Sequence, residues 1–172
     1  MATATATTTT PDPIFRLEHD HTHLSRLVAE LRDALTAIRA GRDEAGERRE
    51  EFASVLGGLA SELFEHFARE EEGLFPFIQE RFPELRSAIA EIERAHDRIC
   101  GAASRVLALL DGGARKGEPL AEHDFALVAS LFDRFDADYA AHARNEADFL
   151  RALAPRLDVG QRESLAEILR QL

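Results

Sequence analysis

The chain has 172 residues, 45% of them apolar, which is enough for one domain around a single core and too few for two ordinary ones. Its formal charge of −11 at pH 7, with Arg interleaved among acids as in Glu47-Arg48-Arg49-Glu50-Glu51, excludes a phosphate-tracking surface and so a nucleic-acid partner; that run reads as a solvated helix face. A single cysteine, Cys100, excludes a disulfide framework or a Cys-rich metal site, and no apolar run reaches the ~18 residues that a membrane span needs.

Residues 1–12 open on alternating Ala and Thr without the basic start or apolar stretch of a secretory signal. A disordered tail and a cytoplasmic location are expected. Asp12-Pro13 then reads as an N-cap followed by Pro at the first helical position. From there an apolar stripe steps by three or four through Ile14, Leu17, His21, Leu24, Val28, Leu31, Leu35 and Ile38. Gly41 and Gly46 mark a loop. A second stripe runs Phe52, Leu56, Leu59, Leu63, His66, Glu70, Leu74, until Pro76 breaks or kinks it. Pro83 opens the third helix, with Ile89, Ile92, His96, Ile99, Ala103, Val106 and Leu110 on its stripe; Asp111-Gly112-Gly113 ends it before the loop Lys116-Gly117-Glu118-Pro119. The fourth stripe is Val128, Leu131, Phe135, Tyr139, His142, Glu146, Phe149 and Leu153, stopping before Pro155. Residues 161–172 read as a short amphipathic helix. The expected fold is all-α: an up-down-up-down four-helix bundle over residues 13–155, with a short C-terminal accessory helix within 156–172.

The chain repeats itself. An offset of 75 carries Ile14, Leu17, His21, Leu24 and Leu35 onto Ile89, Ile92, His96, Ile99 and Leu110. An offset of 76 carries Leu63, His66, Glu70 and Leu74 onto Tyr139, His142, Glu146 and Leu150. Each half therefore supplies one lone His and one His-x-x-x-Glu pair, and an i, i+4 pair shares one helix face. All six side chains fall within apolar stripes. Two carboxylates buried together without a positive partner are very costly, so the pattern calls for cations, with a metal-free hydrogen-bonded network as the competing reading. Imidazole and carboxylate without thiolate suit iron, zinc or manganese, and two glutamates shared among four histidines suit a dinuclear site. The predicted ligands are His21, His66, Glu70, His96, His142 and Glu146.

Of the three histidines in Glu18-His19-Asp20-His21-Thr22-His23, only His21 lies on the stripe and aligns with His96. His19 and His23 read as a surface pair and His123 as solvated. Tyr139, one turn before His142, is either plain core or a phenol near the metals, and is the one candidate for a catalytic role outside the ligands.

These segments resemble the hemerythrin-like (HHE cation-binding) domains over residues 13–155. The resemblance is carried by Asp20-His21-Thr22-His23-Leu24, by His66-Phe67-Ala68-Arg69-Glu70-Glu71-Glu72-Gly73-Leu74-Phe75-Pro76, by Arg94-Ala95-His96-Asp97-Arg98-Ile99, and by His142-Ala143-Arg144-Asn145-Glu146. It implies a four-helix bundle holding two iron ions with bridging carboxylates and an oxo or hydroxo bridge. Oxygen-carrying members have a further histidine one turn after the third-helix ligand; here that position is Cys100, read either as a thiolate ligand or as a small buried residue. The six-ligand set is similar to bacterial di-iron proteins linked to nitric-oxide stress and iron-centre repair, and to the iron- and oxygen-sensing domain of a eukaryotic ubiquitin-ligase subunit. Neither the Cys-bearing segment of the first nor the partner domain of the second is seen here.

The resemblance implies reaction with O₂, peroxide or nitric oxide, with peroxidase, catalase-like or NO-reducing turnover as its enzymatic forms. Iron or oxygen sensing without turnover, and O₂ carriage, are the alternatives. Ferritin-like storage is disfavoured, because the Glu93–His96 match has no counterpart in the other half. A small-molecule ligand and a monomer or weak dimer are expected.

Overall fold

The computed structural model describes residues 12–42, 47–114 and 122–172, with the backbone alone for 112–114 and 122–123. The expected tail, the Gly46 side of the first loop, the Lys116–Pro119 loop and the side chain of His123 lie outside the described residues.

The first helix, α1 (Pro13–Arg39), starts as its sequence demands: Asp12 accepts a hydrogen bond from the Ile14 amide at 2.9 Å, and Pro13 occupies the first turn. It ends at Gly41, whose φ of 72° is a left-handed conformation that other residues adopt only at a cost. The next helix, α2 (Glu47–Arg69), runs into one wide turn, Glu70–Leu74, and resumes as α3 (Phe75–Arg81). The sequence placed the break at Pro76. The backbone instead widens just before it: the Phe75 N–H bonds to the Glu70 carbonyl five residues back, and Pro76 follows in the first turn of α3 within a continuous helical run.

Pro83–Leu85 form a single tight turn, and α4 (Arg86–Ala114) follows. It continues in helical form through Gly112 and Gly113, which the sequence reading had ending it; glycine lowers helix propensity by about 1 kcal/mol without forbidding the conformation. The fourth long helix, α5 (Glu122–Leu153), leads through the turn Ala154–Arg156 into α6 (Val159–Gln171). That last helix is opened by a capping box between Asp158 and Gln161. α1 packs on α2 and α5, and α4 packs on the same two, giving an up-down-up-down four-helix bundle with α6 as the accessory helix. Among the described residues no helix is long and apolar enough to cross a membrane.

The stripes on α1, α2 and α4 are buried as read. On α5 the inward pair is Phe132 and Leu150, while Leu131 and Phe149 pack at the margins. The core is split in two. One apolar cluster contains Leu24, Leu63, Phe67, Ile99, Phe132 and Tyr139; the other contains Leu17, Leu74, Phe75, Ile92, Leu150 and Leu169. On every long helix the His or His-x-x-x-Glu lies between a residue of the first cluster and one of the second. The polar side chains thus form one layer, sealed on both sides by hydrocarbon.

The accessory helix closes the second cluster. Leu165 and Leu169 are buried there, and Arg162 pairs with Asp12 at the start of α1. Its end lies against the wide turn: a Cβ on Gly73 would stand 2.7 Å from Leu169 Cδ2 and 2.9 Å from Leu172 Cδ1, so the bare glycine makes room for these two leucine side chains.

Candidate metal centre

The structure brings all six predicted side chains to one place. His21, His66, His96 and His142 are at most 7% exposed, and Glu70 and Glu146 are fully buried. Their ring Nε2 atoms and carboxylates converge. Glu70 Oε1 stands 3.2 Å from His66 Nε2 and 4.0 Å from His21 Nε2, while its Oε2 stands 3.4 Å from His96 Nε2. Glu146 Oε2 is 3.0 Å from His142 Nε2 and 3.3 Å from His21 Nε2. Two groups of ligand atoms lie within 4.8 Å of one another: His21, His66, Glu70 and Glu146 in one, His96, His142 and Glu146 in the other. Glu146 belongs to both, and Glu70 turns one oxygen toward each.

Several observations test whether a cation suits this layer. Both oxygens of Glu70, both of Glu146, and Nε2 of His96 and His142 are buried without a hydrogen-bond partner. Unsatisfied buried acceptors of this kind are costly, and six in one layer of a native fold require an explanation. Nε2 of His21 and of His66 meet head-on at 2.7 Å, which without a cation requires one of them to carry the proton. Burial penalises both carboxylates, and the charge of Glu146 adds to the penalty on Glu70, whose pKa rises well above the ordinary value. For Glu146 the burial penalty is outweighed by contact with Glu70, His142 and His21, which holds it well below that value. Burial and the neighbouring His142 depress His96 to about 3, and burial also depresses His66. Four imidazoles, with burial favouring the neutral form of His66 and His96, around two buried carboxylates make a donor set that fits divalent or trivalent cations.

The remaining candidates lie elsewhere. Tyr139 is buried, but its hydroxyl donates to the His21 backbone carbonyl at 3.4 Å and meets Ser25 Oγ at 3.2 Å, and its ring stacks on Phe135. It anchors the backbone that carries His21. Burial pushes its pKa up to about 12. Cys100 is half-buried against the first apolar cluster and belongs to neither ligand group; burial pushes its thiol up to about 11, so it stays protonated. His19 is exposed, whereas His23 is engaged by Glu62 at 2.8 Å and Arg26 at 3.3 Å rather than by His19.

Sequence reasoning passed over two side chains, Glu71 and Asp20. Glu71 Oε1 lies 2.7 Å from His96 Nδ1, and Asp20 Oδ2 lies 3.9 Å from His66 Nδ1. The signal was present in the polar neighbours of Glu70 and His21, but adjacent acids on a helix read first as solvated surface.

No curated protein and no solved structure matched the chain. A family profile did: the hemerythrin HHE cation-binding domain, over residues 12–153. With that match across most of its length, and a His/Glu layer fitted to cations at its centre, the chain belongs to the hemerythrin HHE cation-binding domain family.

Proposed function

We propose that His21, His66, Glu70, His96, His142 and Glu146 hold two iron ions, and that the pair reacts with a small oxidant or radical: O₂, peroxide or nitric oxide. One observation carries the reading. Glu70 faces His66 and His96 with different oxygens, and Glu146 Oε2 faces both His21 and His142, which supports a reading in which two ions would share the carboxylates. Iron held there would supply one-electron redox chemistry.

The rest is the work of the chain. Four imidazoles and two carboxylates offer a donor set without thiolate, matched to an ion that must be held in two oxidation states. Phe67 stacks on His96 with centroids 3.8 Å apart and meets His142 edge-on, so one side of the layer is walled by hydrocarbon and kept dry. A groove of about 440 Å³ between α4 and α5, lined in part by Ile92, Ala95, Arg98, Asn145, Phe149 and His142, is the face from which a small molecule would approach the His142 side. With Cys100 protonated where oxygen carriers hold another histidine, reaction or sensing is favoured over reversible carriage.

The deciding experiment is metal analysis with an optical spectrum of protein loaded anaerobically with ferrous iron, followed by O₂, peroxide and NO. Two irons per chain and a near-ultraviolet absorption that changes with at least one of them supports the reading. One zinc per chain, or a spectrum indifferent to all three, overturns it. Sensing without turnover is favoured by a separate observation: α6 lies directly on the wide turn that carries Glu70, so ligation there would be felt by the accessory helix. Oxidant consumption at no more than one equivalent per site, with altered protease sensitivity of α6, would select that role.

A further inference from the structure

Glu71 is outside the six-residue layer and, like its neighbour Glu72, is exposed, with 43% of its side chain open to solvent. Glu71 itself is aimed at the back of a candidate ligand. The His96 ring directs Nε2 toward Glu70 Oε2 at 3.4 Å and Nδ1 toward Glu71 Oε1 at 2.7 Å. Both contacts come from the same wide turn, which sets successive glutamates on the two edges of one imidazole.

The flat faces of that ring are already held. Phe67 is parallel to it within 8° at 3.8 Å, and Phe75 lies at 5.8 Å. Stacking fixes the plane of an imidazole but hardly distinguishes it from the same ring turned over by 180°, which would exchange nitrogen for carbon at the inner edge. A carboxylate against Nδ1 does distinguish them. It requires Nδ1 to carry the hydrogen, leaves the Nε2 lone pair facing inward, and makes that nitrogen a better donor.

The arrangement is not repeated. The position equivalent to Glu71 in the second half is Ala147, and that equivalent to Asp20 is Ala95. Behind His66, Nδ1 is buried without a hydrogen-bond partner, because Asp20 at 3.9 Å is taken up by Arg69 Nη1 at 3.0 Å. Among the described residues no carboxylate stands behind His21 or His142.

We propose that Glu71 is a positioning residue that fixes the tautomer and orientation of His96, and so sets the affinity of the ion on the His96–His142 side apart from that of its neighbour. The proposal rests on His96 being a metal ligand.

The test has two arms on the full chain. In the first, metal-free wild type and variants are titrated anaerobically with Fe²⁺ against a chelator of known affinity. Glu71→Ala is expected to weaken one of two ions by about 10–100-fold and to leave the other in place. Glu71→Gln, which keeps a carbonyl acceptor, recovers most of that loss, and Glu72→Ala, which removes the same charge one residue away, changes neither ion. Equal behaviour of Glu71→Ala and Glu72→Ala, or an equal loss of both ions that Gln does not repair, overturns the proposal. In the second arm, ¹⁵N spectra of histidine-labelled metal-free wild type report the His96 tautomer directly and need no variant to fold. The Nδ1–H form supports the proposal and the Nε2–H form overturns it. Wild type that takes up no metal defeats the ligand reading beneath it, an outcome distinct from normal uptake that Glu71→Ala leaves untouched.

Discussion

The two halves of the bundle carry the same candidate ligands and hold them differently. His66 and Glu70 stand where α2 gives way to a wide turn, against Gly73 and beneath the end of α6. Their duplicates His142 and Glu146 stand on α5, which runs unbroken to Leu153. Proline at position 76 has Ala152 as its counterpart, and Gly73 has Phe149. The repeat therefore fixes which side chains point inward, while residues that are not repeated decide how tightly each is gripped. Duplication conserves a face; asymmetry comes from the backbone around it.

The strongest way to break this comparison is to remove one carboxylate from each half in turn. If Glu70 and Glu146 both serve two ions, Glu70→Gln and Glu146→Gln each abolish stable uptake of the pair rather than of one ion. Metal in thousand-fold excess over its dissociation constant stabilises the fold by about 4 kcal/mol, or roughly 8–16 °C for a domain of this size, and either variant loses that gain. Without metal the two part: Glu70→Gln melts no lower than wild type, because it removes a carboxyl whose charge burial disfavours, whereas Glu146→Gln melts lower, because Glu70, His142 and His21 favour the charge it removes. Thermal denaturation with and without Fe²⁺ reads both effects; a variant that still binds one ion at full affinity breaks the sharing.

A second test strips metal from both halves and varies pH. His96 takes up its proton only near pH 3 in the folded chain but near 6.5 when unfolded, and His66 is shifted the same way. The stability this provides is complete above pH ~6.5 and is lost as pH falls toward the folded value, since only the unfolded chain binds the proton in that window. Glu70 has the opposite sign: its raised pKa stabilises the fold below the ordinary carboxylate value and is lost as pH rises through the folded one. Metal-free protein should melt roughly 5–10 °C lower at pH 4.5 than at pH 6.5 if the histidines dominate. A flat or rising profile toward acid would show that Glu70 outweighs them.

A smaller effect isolates the half under α6. Gly73→Ala drives a methyl group into Leu169 and Leu172 and is expected to cost about 1–3 kcal/mol as the accessory helix shifts. Gly57→Ala, also in the α2 segment but with nothing within 4 Å of the added methyl, should stabilise by about 0.5–1 kcal/mol. Urea denaturation of the pair measures the difference. Equal midpoints would mean that α6 is not seated on the turn.

The sequence made much of this legible. Three of the four stripes are buried residue for residue, because the period of apolar side chains is a direct image of a helix face. The six polar members of those stripes were singled out by repetition and by the cost of burying them alone, and they share one layer here. The period failed where neighbours compete for the same face: on α5, Phe132 and Leu150 outrank Leu131 and Phe149 by a rotation of one residue. It was silent on the wide turn, because one extra residue in a turn changes hydrogen bonding without changing composition. Glu71 and Asp20 were missed for a related reason. A carboxylate beside a ligand on the chain looks like surface until the neighbouring helix shows what stands opposite.

Tyr139 gives the finest contrast between the halves, since its counterpart is Leu63. In the first half that position is pure hydrocarbon; in the second a hydroxyl reaches across to the His21 carbonyl and to Ser25. Tyr139→Phe keeps the ring against Phe135 and removes only the two hydrogen bonds, so about 0.5–1.5 kcal/mol of stability should be lost. If the hydroxyl acts solely through the backbone of His21, the Fe²⁺ titration of the variant keeps its two-ion stoichiometry with no more than a modest drop in affinity. A phenol that instead reached the ions would lose an absorption feature on substitution. The present geometry engages the hydroxyl with the His21 carbonyl and Ser25, which makes the small effect the expected one.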